Sequence, residues 1–263
     1  MYSFELVRPT TVADASAALK KSKGKALAGG QSLISAMKLR LAQPGTLVDL
    51  SQIAGLKAIT KDGNQIKIGA LATHADVAES KVVLGALPAL AALARGIGDR
   101  QVRNMGTIGG AIAHNDPAAC YPAAGLALNA LITTNTRTIA ADDFFKGMYD
   151  TALADGEIIT SVSFPIGGKA AYVKFPNPAS RFALVGVFVA QSAGGVRVAV
   201  TGAAPVAFRS RALETALSKS FTADAARAVK VDASGLNNDL HASPEYRAHL
   251  IPVLAARAVA AAS

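Results

Sequence analysis

The chain is poor in cysteine and has no long apolar run, and both shortages exclude classes of protein. Cys120 is the single cysteine among 263 residues. No internal disulfide framework can form, and the chain cannot hold an iron–sulfur cluster, which requires about four thiolates. The longest uncharged run, 117–136, contains two prolines, two asparagines and three threonines. The sequence therefore predicts no transmembrane segment.

Charge and histidine placement point away from nucleic acid and metal. The net charge is +9, but the basic residues are scattered and lack interleaved aromatic residues, so we expect no nucleic-acid binding. His74, His114, His241 and His249 show no metal-ligand spacing, so no metal site is predicted. Residues 1–6 lack the basic and apolar pattern of a secretion signal, which leads us to expect a cytoplasmic location.

Hydrophobic patterning predicts a mixed α+β protein with many short elements. In a helix over 31–41, Leu33, Met37 and Leu41 have the spacing to share one face. Thr11 and Thr73 are expected to cap helices, and the glycine-dense segment 96–110 is expected to lack regular secondary structure. The predicted strands cover 2–7, 26–28, 47–50, 56–60, 65–68, 131–134, 138–140, 157–164, 171–175, 183–191 and 196–201. The other predicted helices cover 11–21, 87–95, 122–130, 211–217, 223–229 and 244–262.

Two glycine motifs are candidates for binding a dinucleotide. Gly29-Gly30-Gln31-Ser32 lies between a predicted strand and a predicted helix, where outward N–H groups favour a pyrophosphate. A single diglycine is more often a simple turn, but 107–110 offers a second close backbone approach. Neither motif fits the Rossmann fingerprint, which argues against a nicotinamide-binding Rossmann fold.

Several blocks occur in the order seen in a known family. The chain resembles the medium subunits of molybdenum hydroxylases, of the xanthine dehydrogenase and aerobic carbon monoxide dehydrogenase type. The resemblance covers essentially the whole chain. The blocks that carry it are 27–33, 37–41, 47–50, 103–110, 116–119, 156–159, 183–187 and 241–247.

The resemblance implies an α+β architecture in two units. Residues 1–168 would form a two-part FAD-binding fold of the vanillyl-alcohol-oxidase (PCMH) type, with subdomains at about 1–55 and 56–168. Residues 169–263 would form a small α+β C-terminal domain like that of carbon monoxide dehydrogenase flavoproteins. This agrees with the element pattern, in which a linker at 166–168 separates a glycine-rich front from a sheet followed by helices.

The same resemblance implies FAD as cofactor and indicates which residues hold it. Ala111 stands where the family commonly has Asn, Asp or Ser, Cys120 where it has Asp, and Phe182 where carbon monoxide dehydrogenase relatives often have Tyr. A thiol is a weak hydrogen-bond donor, so these changes bear on the affinity for FAD. The implied cofactor-binding residues are Leu27, Ala28, Gly29, Gly30, Gln31, Ser32, Leu33, Ile97, Gly98, Val102, Gly106, Thr107, Ile108, Gly109, Gly110, Ala111, Cys120, Lys174 and Phe182.

The implied activity is electron transfer within an oxidoreductase. A molybdenum-cofactor large subunit would oxidise the substrate, and an iron–sulfur small subunit would pass electrons to this FAD, in a dimer of heterotrimers. The cofactor carries the chemistry, so no catalytic side chain is expected. Two alternatives stay open, namely a self-contained flavin oxidoreductase and a redox-inactive dinucleotide-binding scaffold.

Overall fold

The computed structural model describes residues 1–262 and consists of mostly short helices arranged around four sheets. In chain order, the elements are β1 (Glu5–Val7), α1 (Val12–Ser22), β2 (Lys25–Leu27), α2 (Leu33–Lys38), β3 (Thr46–Asp49), β4 (Ile59–Asp62), β5 (Gln65–Gly69), α3 (His74–Glu79), α4 (Lys81–Ala86), α5 (Pro88–Arg95), α6 (Arg100–Met105), α7 (Ile108–His114), α8 (Tyr121–Ala127), β6 (Leu131–Thr134), β7 (Thr138–Ala140), α9 (Ala141–Phe144), β8 (Phe145–Gly147), β9 (Asp150–Thr151), β10 (Ile159–Pro165), β11 (Lys169–Pro176), β12 (Ala183–Ser192), β13 (Gly195–Thr201), β14 (Phe208–Arg209), α10 (Arg211–Lys219), α11 (Ala223–Arg227) and α12 (Pro244–Ala261).

The first two sheets form the front of the molecule. The first is parallel, in the order β1-β3-β2, and α1 packs Ala15 and Leu19 against its core. The predicted cap of α1 is confirmed, because the Thr11 side chain accepts a hydrogen bond from the Asp14 N–H at 3.1 Å. The second sheet is antiparallel, in the order β4-β5-β10-β6-β7. Helices α3, α4, α5, α7 and α8 share a core with it.

The third sheet forms the back of the molecule and has the order β11-β12-β13-β14. Every residue of β12 from Ala183 to Ala190 is buried. Val185 and Val187 pack in a core with α10 to α12, whereas Phe188 and Ala190 pack in the core of the second sheet. Burial on both faces explains why β12 is a continuous apolar run instead of an alternating one. A separate pair, β8 with β9, completes the sheets.

The predicted helix over 31–41 is wrong in length. Helix α2 ends at Lys38 because Arg40 adopts a left-handed conformation, with φ of 60°. The Leu41 N–H donates to the Ala36 carbonyl and the Arg40 N–H to that of Met37, which is the Schellman arrangement. Met37 is buried, but Leu41 is 79% exposed, so the expectation that the two share one face is wrong.

The prediction that 96–110 lacks regular secondary structure is also wrong. The segment contains α6 and the start of α7, each begun by a side-chain cap. Asp99 accepts a hydrogen bond from the Val102 N–H at 2.8 Å, and Thr107 accepts one from the Gly110 N–H at 3.1 Å. Position 109 requires glycine, because a Cβ there would come within 2.5 Å of Ala70. Its glycine reflects close packing, not an irregular backbone.

Glu157 accepts five hydrogen bonds, from two nitrogens of Arg137, two threonine hydroxyls and the Ala154 N–H, at 2.7 to 2.9 Å. The Arg137 contact is the main reason that the pKa of Glu157 lies well below its ordinary range, and burial acts against it. Because the folded-state pKa is depressed, this carboxylate stabilises the fold above pH ~4.3, its pKa in unfolded chains, and the contribution is lost as the pH falls.

We expect Glu157→Gln to lower the free energy of unfolding at neutral pH by about 2–3 kcal/mol, since charge-assisted hydrogen bonds are lost. The difference from the wild type should shrink below pH ~4.3. Urea unfolding at neutral and acidic pH measures both effects. Glu5→Gln, at an exposed position, is the control and should change neither. Equal stability of Glu157→Gln and the wild type at pH 7 would contradict the prediction.

Candidate functional site

The two predicted glycine motifs lie in direct backbone contact. A Cβ on Gly29 would lie 1.8 Å from the Met105 carbonyl oxygen. A Cβ on Gly110 would lie 3.6 Å from the Cβ of Ala28. Side chains larger than hydrogen at Gly29 would force the two segments apart, so residues 28–32 and 105–110 form one site.

The first loop carries backbone donors that are available to a ligand. The N–H groups of Gly30, Gln31 and Ser32 find no acceptor among residues 1–262. All three residues are at least partly exposed. Buried or half-buried N–H groups are normally paired, so three consecutive unpaired donors fit an anionic group such as a pyrophosphate.

The second loop is braced by its own hydrogen bonds. The Ile108 N–H donates to the Ala72 carbonyl at 3.0 Å and the Gly109 N–H to that of Ala70 at 2.9 Å. The Gly106 carbonyl in turn accepts from the His74 N–H at 2.9 Å. These hydrogen bonds hold the second loop in place and occupy the N–H groups of Ile108 and Gly109. The donors available to a ligand therefore come mainly from the first loop.

His74 lies under the braced loop and is buried, with 5% of its surface exposed. A Cβ on Gly106 would come within 2.5 Å of its Nε2, and the ring centre lies 5.4 Å from that of Tyr121. Burial, and then the charge of Arg103, lowers the pKa of His74 to about 4. The imidazole is therefore uncharged at neutral pH and packs as a neutral ring.

A second group of polar contacts surrounds the turn at 96–98. The Lys174 ammonium donates to the Gly96 carbonyl at 2.8 Å. Arg103 donates to the carbonyls of Ile97 and Gly98 at 2.9 and 3.0 Å. Arg181 donates to the Gly98 carbonyl at 3.3 Å. Gly98 has a left-handed conformation, with φ of 49°, and a Cβ there would also overlap Val102.

Cys120 and Tyr172 lie beside this turn. The Cys120 thiol is 3.7 Å from the Lys174 ammonium and is 5% exposed. Burial, and then the neighbouring Cys120, raises the pKa of Tyr172 well above its ordinary value. The Phe182 side chain is 48% exposed, and its carbonyl accepts a hydrogen bond from the Asn177 N–H at 2.8 Å.

Most of the predicted site residues thus fall into two groups, one around the joined glycine loops and one around the turn at 96–98. Ile108 differs, because its side chain is fully buried in the core. The first group consists of Leu27, Ala28, Gly29, Gly30, Gln31, Ser32, Leu33, Gly106, Thr107, Gly109, Gly110 and Ala111. The second consists of Ile97, Gly98, Val102, Cys120 and Lys174, and Phe182 is joined to it only through its chain neighbour Arg181.

Sequence reasoning missed Met105, His74, Arg103 and Arg181 as neighbours of the site. Arg103 and Met105 both lie within block 103–110, which carried the family resemblance, so that block could have indicated them. Nothing in the sequence brings Arg181 to Gly98, which is 83 residues away.

Comparison with known proteins decides the family. Residues 2–167 match the FAD binding domain in molybdopterin dehydrogenase. The chain is 36% identical to the nicotine 6-hydroxylase medium subunit of Paenarthrobacter nicotinovorans, over 95% of this chain and 94% of that protein. It belongs to the molybdenum hydroxylase medium subunits. This medium subunit is also 36% identical to the carbon monoxide dehydrogenase medium chain of Hydrogenophaga pseudoflava, over 98% and 96% of the two chains.

Comparison with solved structures supports the same family assignment. This medium subunit matches a chain of carbon monoxide dehydrogenase from Hydrogenophaga pseudoflava with a TM-score of 0.90 and 37% identity, over 99% and 97% of the two chains. For quinoline 2-oxidoreductase from Pseudomonas putida 86, the TM-score is 0.89 at 27% identity, over 99% and 96%. The predicted α+β FAD-binding fold, the FAD cofactor and the assignment as a flavoprotein subunit of an oxidoreductase are confirmed.

FAD fits the donors that this medium subunit presents. Three unpaired N–H groups suit the pyrophosphate, and cationic side chains surround the turn at 96–98.

Within residues 1–262, no three His, Cys, Asp or Glu side chains converge on a metal-sized site. None of the helices in the described part of the chain combines the length and apolar character needed to span a bilayer.

Proposed function

We propose that this medium subunit carries electrons through its FAD, from iron–sulfur clusters on a small partner subunit to an external acceptor. The clusters would be reduced by substrate oxidation at a molybdenum cofactor on a large partner subunit. FAD supplies the redox chemistry when bound, and the chain supplies binding, orientation and charge around it. We further propose that the complete enzyme is a cytoplasmic dimer of heterotrimers.

The observation that carries this proposal is the joining of the two glycine loops at Gly29 and Met105. It brings three unpaired N–H donors and the braced second loop into one site, as a cofactor with a pyrophosphate requires. A single cysteine in the whole chain means that the iron–sulfur clusters would lie on another subunit.

We propose specific roles for the two groups of residues. The group around the joined loops, from Leu27 to Leu33 with Gly106 to Ala111, would hold the pyrophosphate and adenosine part of FAD. The group around the turn at 96–98, with Val102, Cys120, Lys174 and Phe182, would lie near the isoalloxazine ring. We also propose that residues 1–168 form the FAD-binding unit, with subdomains at about 1–55 and 56–168, and that 169–263 form the C-terminal unit.

The absorption spectrum of the purified chain, alone and with added FAD, tests the proposal. We expect flavin bands that bleach when reductant is added without oxygen. In the complete enzyme, rapid mixing with substrate should reduce the clusters first and the flavin afterwards. A chain that never takes up FAD, or a flavin that stays oxidised while the clusters are reduced, would contradict it.

The same measurements separate the two alternatives. A redox-inactive scaffold would remain colourless or would bind FAD that substrate never reduces. Ala111 and Cys120, which replace commonly polar family residues, are the positions that favour the scaffold. A self-contained oxidoreductase would oxidise a small substrate without its partners, and the isolated chain can be assayed for that directly.

A further inference from the structure

Three positively charged side chains from three different elements converge on one turn. Arg103 belongs to α6, Lys174 to β11, and Arg181 to the loop that joins β11 to β12. Each donates to carbonyl oxygens of the turn at 96–98, at distances of 2.8 to 3.3 Å. We call Arg103, Lys174 and Arg181 the cationic bracket.

The positive charge of the cationic bracket is not neutralised nearby. Among the residues that the structure describes, none of its three members forms an ion pair, whereas Arg137, Arg197 and others do. The adjacent carboxylate, Asp99, caps α6 by accepting from the Val102 N–H, and its one negative charge is outnumbered by the three positive charges of the cationic bracket. Carbonyl oxygens carry only partial negative charge, so a net positive charge remains beside the turn.

Cys120 adds to this imbalance. Its thiol lies 3.7 Å from the Lys174 ammonium. The family resemblance indicates that Asp commonly occupies this position, and an Asp there would place a carboxylate beside Lys174. With cysteine in its place, the cationic bracket lacks that negative charge.

We propose that the cationic bracket raises the midpoint potential of the bound FAD. The inference rests on the proposed function, in which the flavin ring lies near Ile97 and Gly98. Uptake of two electrons and one proton adds one negative charge to the flavin, so nearby positive charge favours the reduced form over the oxidised one. A higher potential draws electrons from the clusters of the partner subunit towards FAD.

The C-terminal part of the chain would then set the potential of a cofactor held mainly by the front. Lys174 and Arg181 both come from the third sheet and its loop, whereas the carbonyls that they bind belong to the front. The three residues are positioning residues in this proposal, and they act on the flavin through charge and through the turn.

Potentiometric titration of the flavin in the purified holoenzyme tests the proposal. Arg181 is exposed, so Arg181→Gln should fold normally. We expect it to lower the ratio of reduced to oxidised flavin at a fixed potential about tenfold, which is about 30 mV for a two-electron couple. Arg181→Lys, which keeps the charge, should retain the wild-type potential.

Two variants of Cys120 form a matched pair for which different flavin potentials are expected. Cys120→Asp adds a negative charge beside Lys174 and should lower the ratio of reduced to oxidised flavin about tenfold. Cys120→Asn, which has nearly the shape of the Asp variant but no charge, should leave this ratio unchanged. Arg227→Gln, at an exposed pair with Asp224, is the control for nonspecific charge. If any variant loses FAD, the wild-type potential is compared at ~0.1 M and ~1 M salt, because screening should lower it.

The outcomes distinguish this inference from the proposed function. A wild-type chain without FAD would overturn both. A reducible flavin whose potential is unaffected by Arg181→Gln, Cys120→Asp or salt would overturn only the role of the cationic bracket. Equal shifts for Arg181→Gln and Arg181→Lys, or for Cys120→Asp and Cys120→Asn, would also overturn it, because they would indicate a purely structural effect.

Discussion

Gly29→Ala is expected to weaken FAD binding at least ~100-fold, which corresponds to about 2.7 kcal/mol. The added Cβ would lie 1.8 Å from the Met105 carbonyl oxygen and 2.7 Å from its carbonyl carbon. Neither contact can be relieved by rotating a side chain, because both atoms belong to the backbone. The two glycine loops must therefore separate, and the three unpaired N–H donors of the first loop lose their position opposite the second loop.

Calorimetric titration of the apoprotein with FAD measures this loss of affinity. Gly45→Ala is the matched control, since a Cβ there meets nothing within 4 Å and its glycine has no left-handed backbone. We expect Gly45→Ala to bind FAD as the wild type does. Circular dichroism should show that both variants are folded. Wild-type affinity in Gly29→Ala would refute the view that contact between the two loops builds the site.

Arg247→Met is expected to lower the free energy of unfolding by about 3 kcal/mol. The Arg247 side chain is 3% exposed. It donates to the carbonyls of Leu184 and Gly202 at 2.7 and 3.0 Å and to the Asp239 carboxylate at 2.7 Å. Methionine has a similar length but no donor, so the Leu184 carbonyl loses this donor, while the Gly202 carbonyl and the Asp239 carboxylate keep only their contacts with Asn237, His241 and Ala242. The loss of three charge-assisted hydrogen bonds made by a buried side chain is costly.

Chemical unfolding of the full chain measures the effect, with Arg227→Met as the control. Arg227 also forms an arginine–aspartate pair, but its side chain and that of Asp224 are 59% and 94% exposed. Exposed pairs contribute ~1 kcal/mol or less, so this variant should be close to the wild type. Equal losses in the two variants would show that burial does not determine the contribution of Arg247.

Local capping and family blocks were predictable from the sequence, whereas contacts between distant segments were not. Thr73 forms the predicted cap, and the Asp76 side chain returns the hydrogen bond to complete a capping box. The Schellman ending at Arg40 was missed because arginine carries no preference for a left-handed backbone. Periodicity alone therefore extended α2 to Leu41, which lies past the true end of the helix.

The candidate site shows the same division. Apart from Met105, the residues of both glycine loops were named from the sequence, because motif order reveals them. Their contact at Gly29 and Met105 depends on tertiary packing between segments more than 70 residues apart. The glycine at 109 was interpreted as a breaker of secondary structure, although its place within α7 depends on the close approach of Ala70, which no local pattern encodes.

The burial of β12 on both faces limits how such subunits can be recombined. A chimaera joined at the linker, 166–168, would bring the Phe188 and Ala190 of one parent against the front core of another, which includes helix α8. Packed interiors tolerate such mismatches poorly. Exchange should succeed only when the strand travels with the helices it covers, so that substitutions at Phe188 are inherited together with those of the front core.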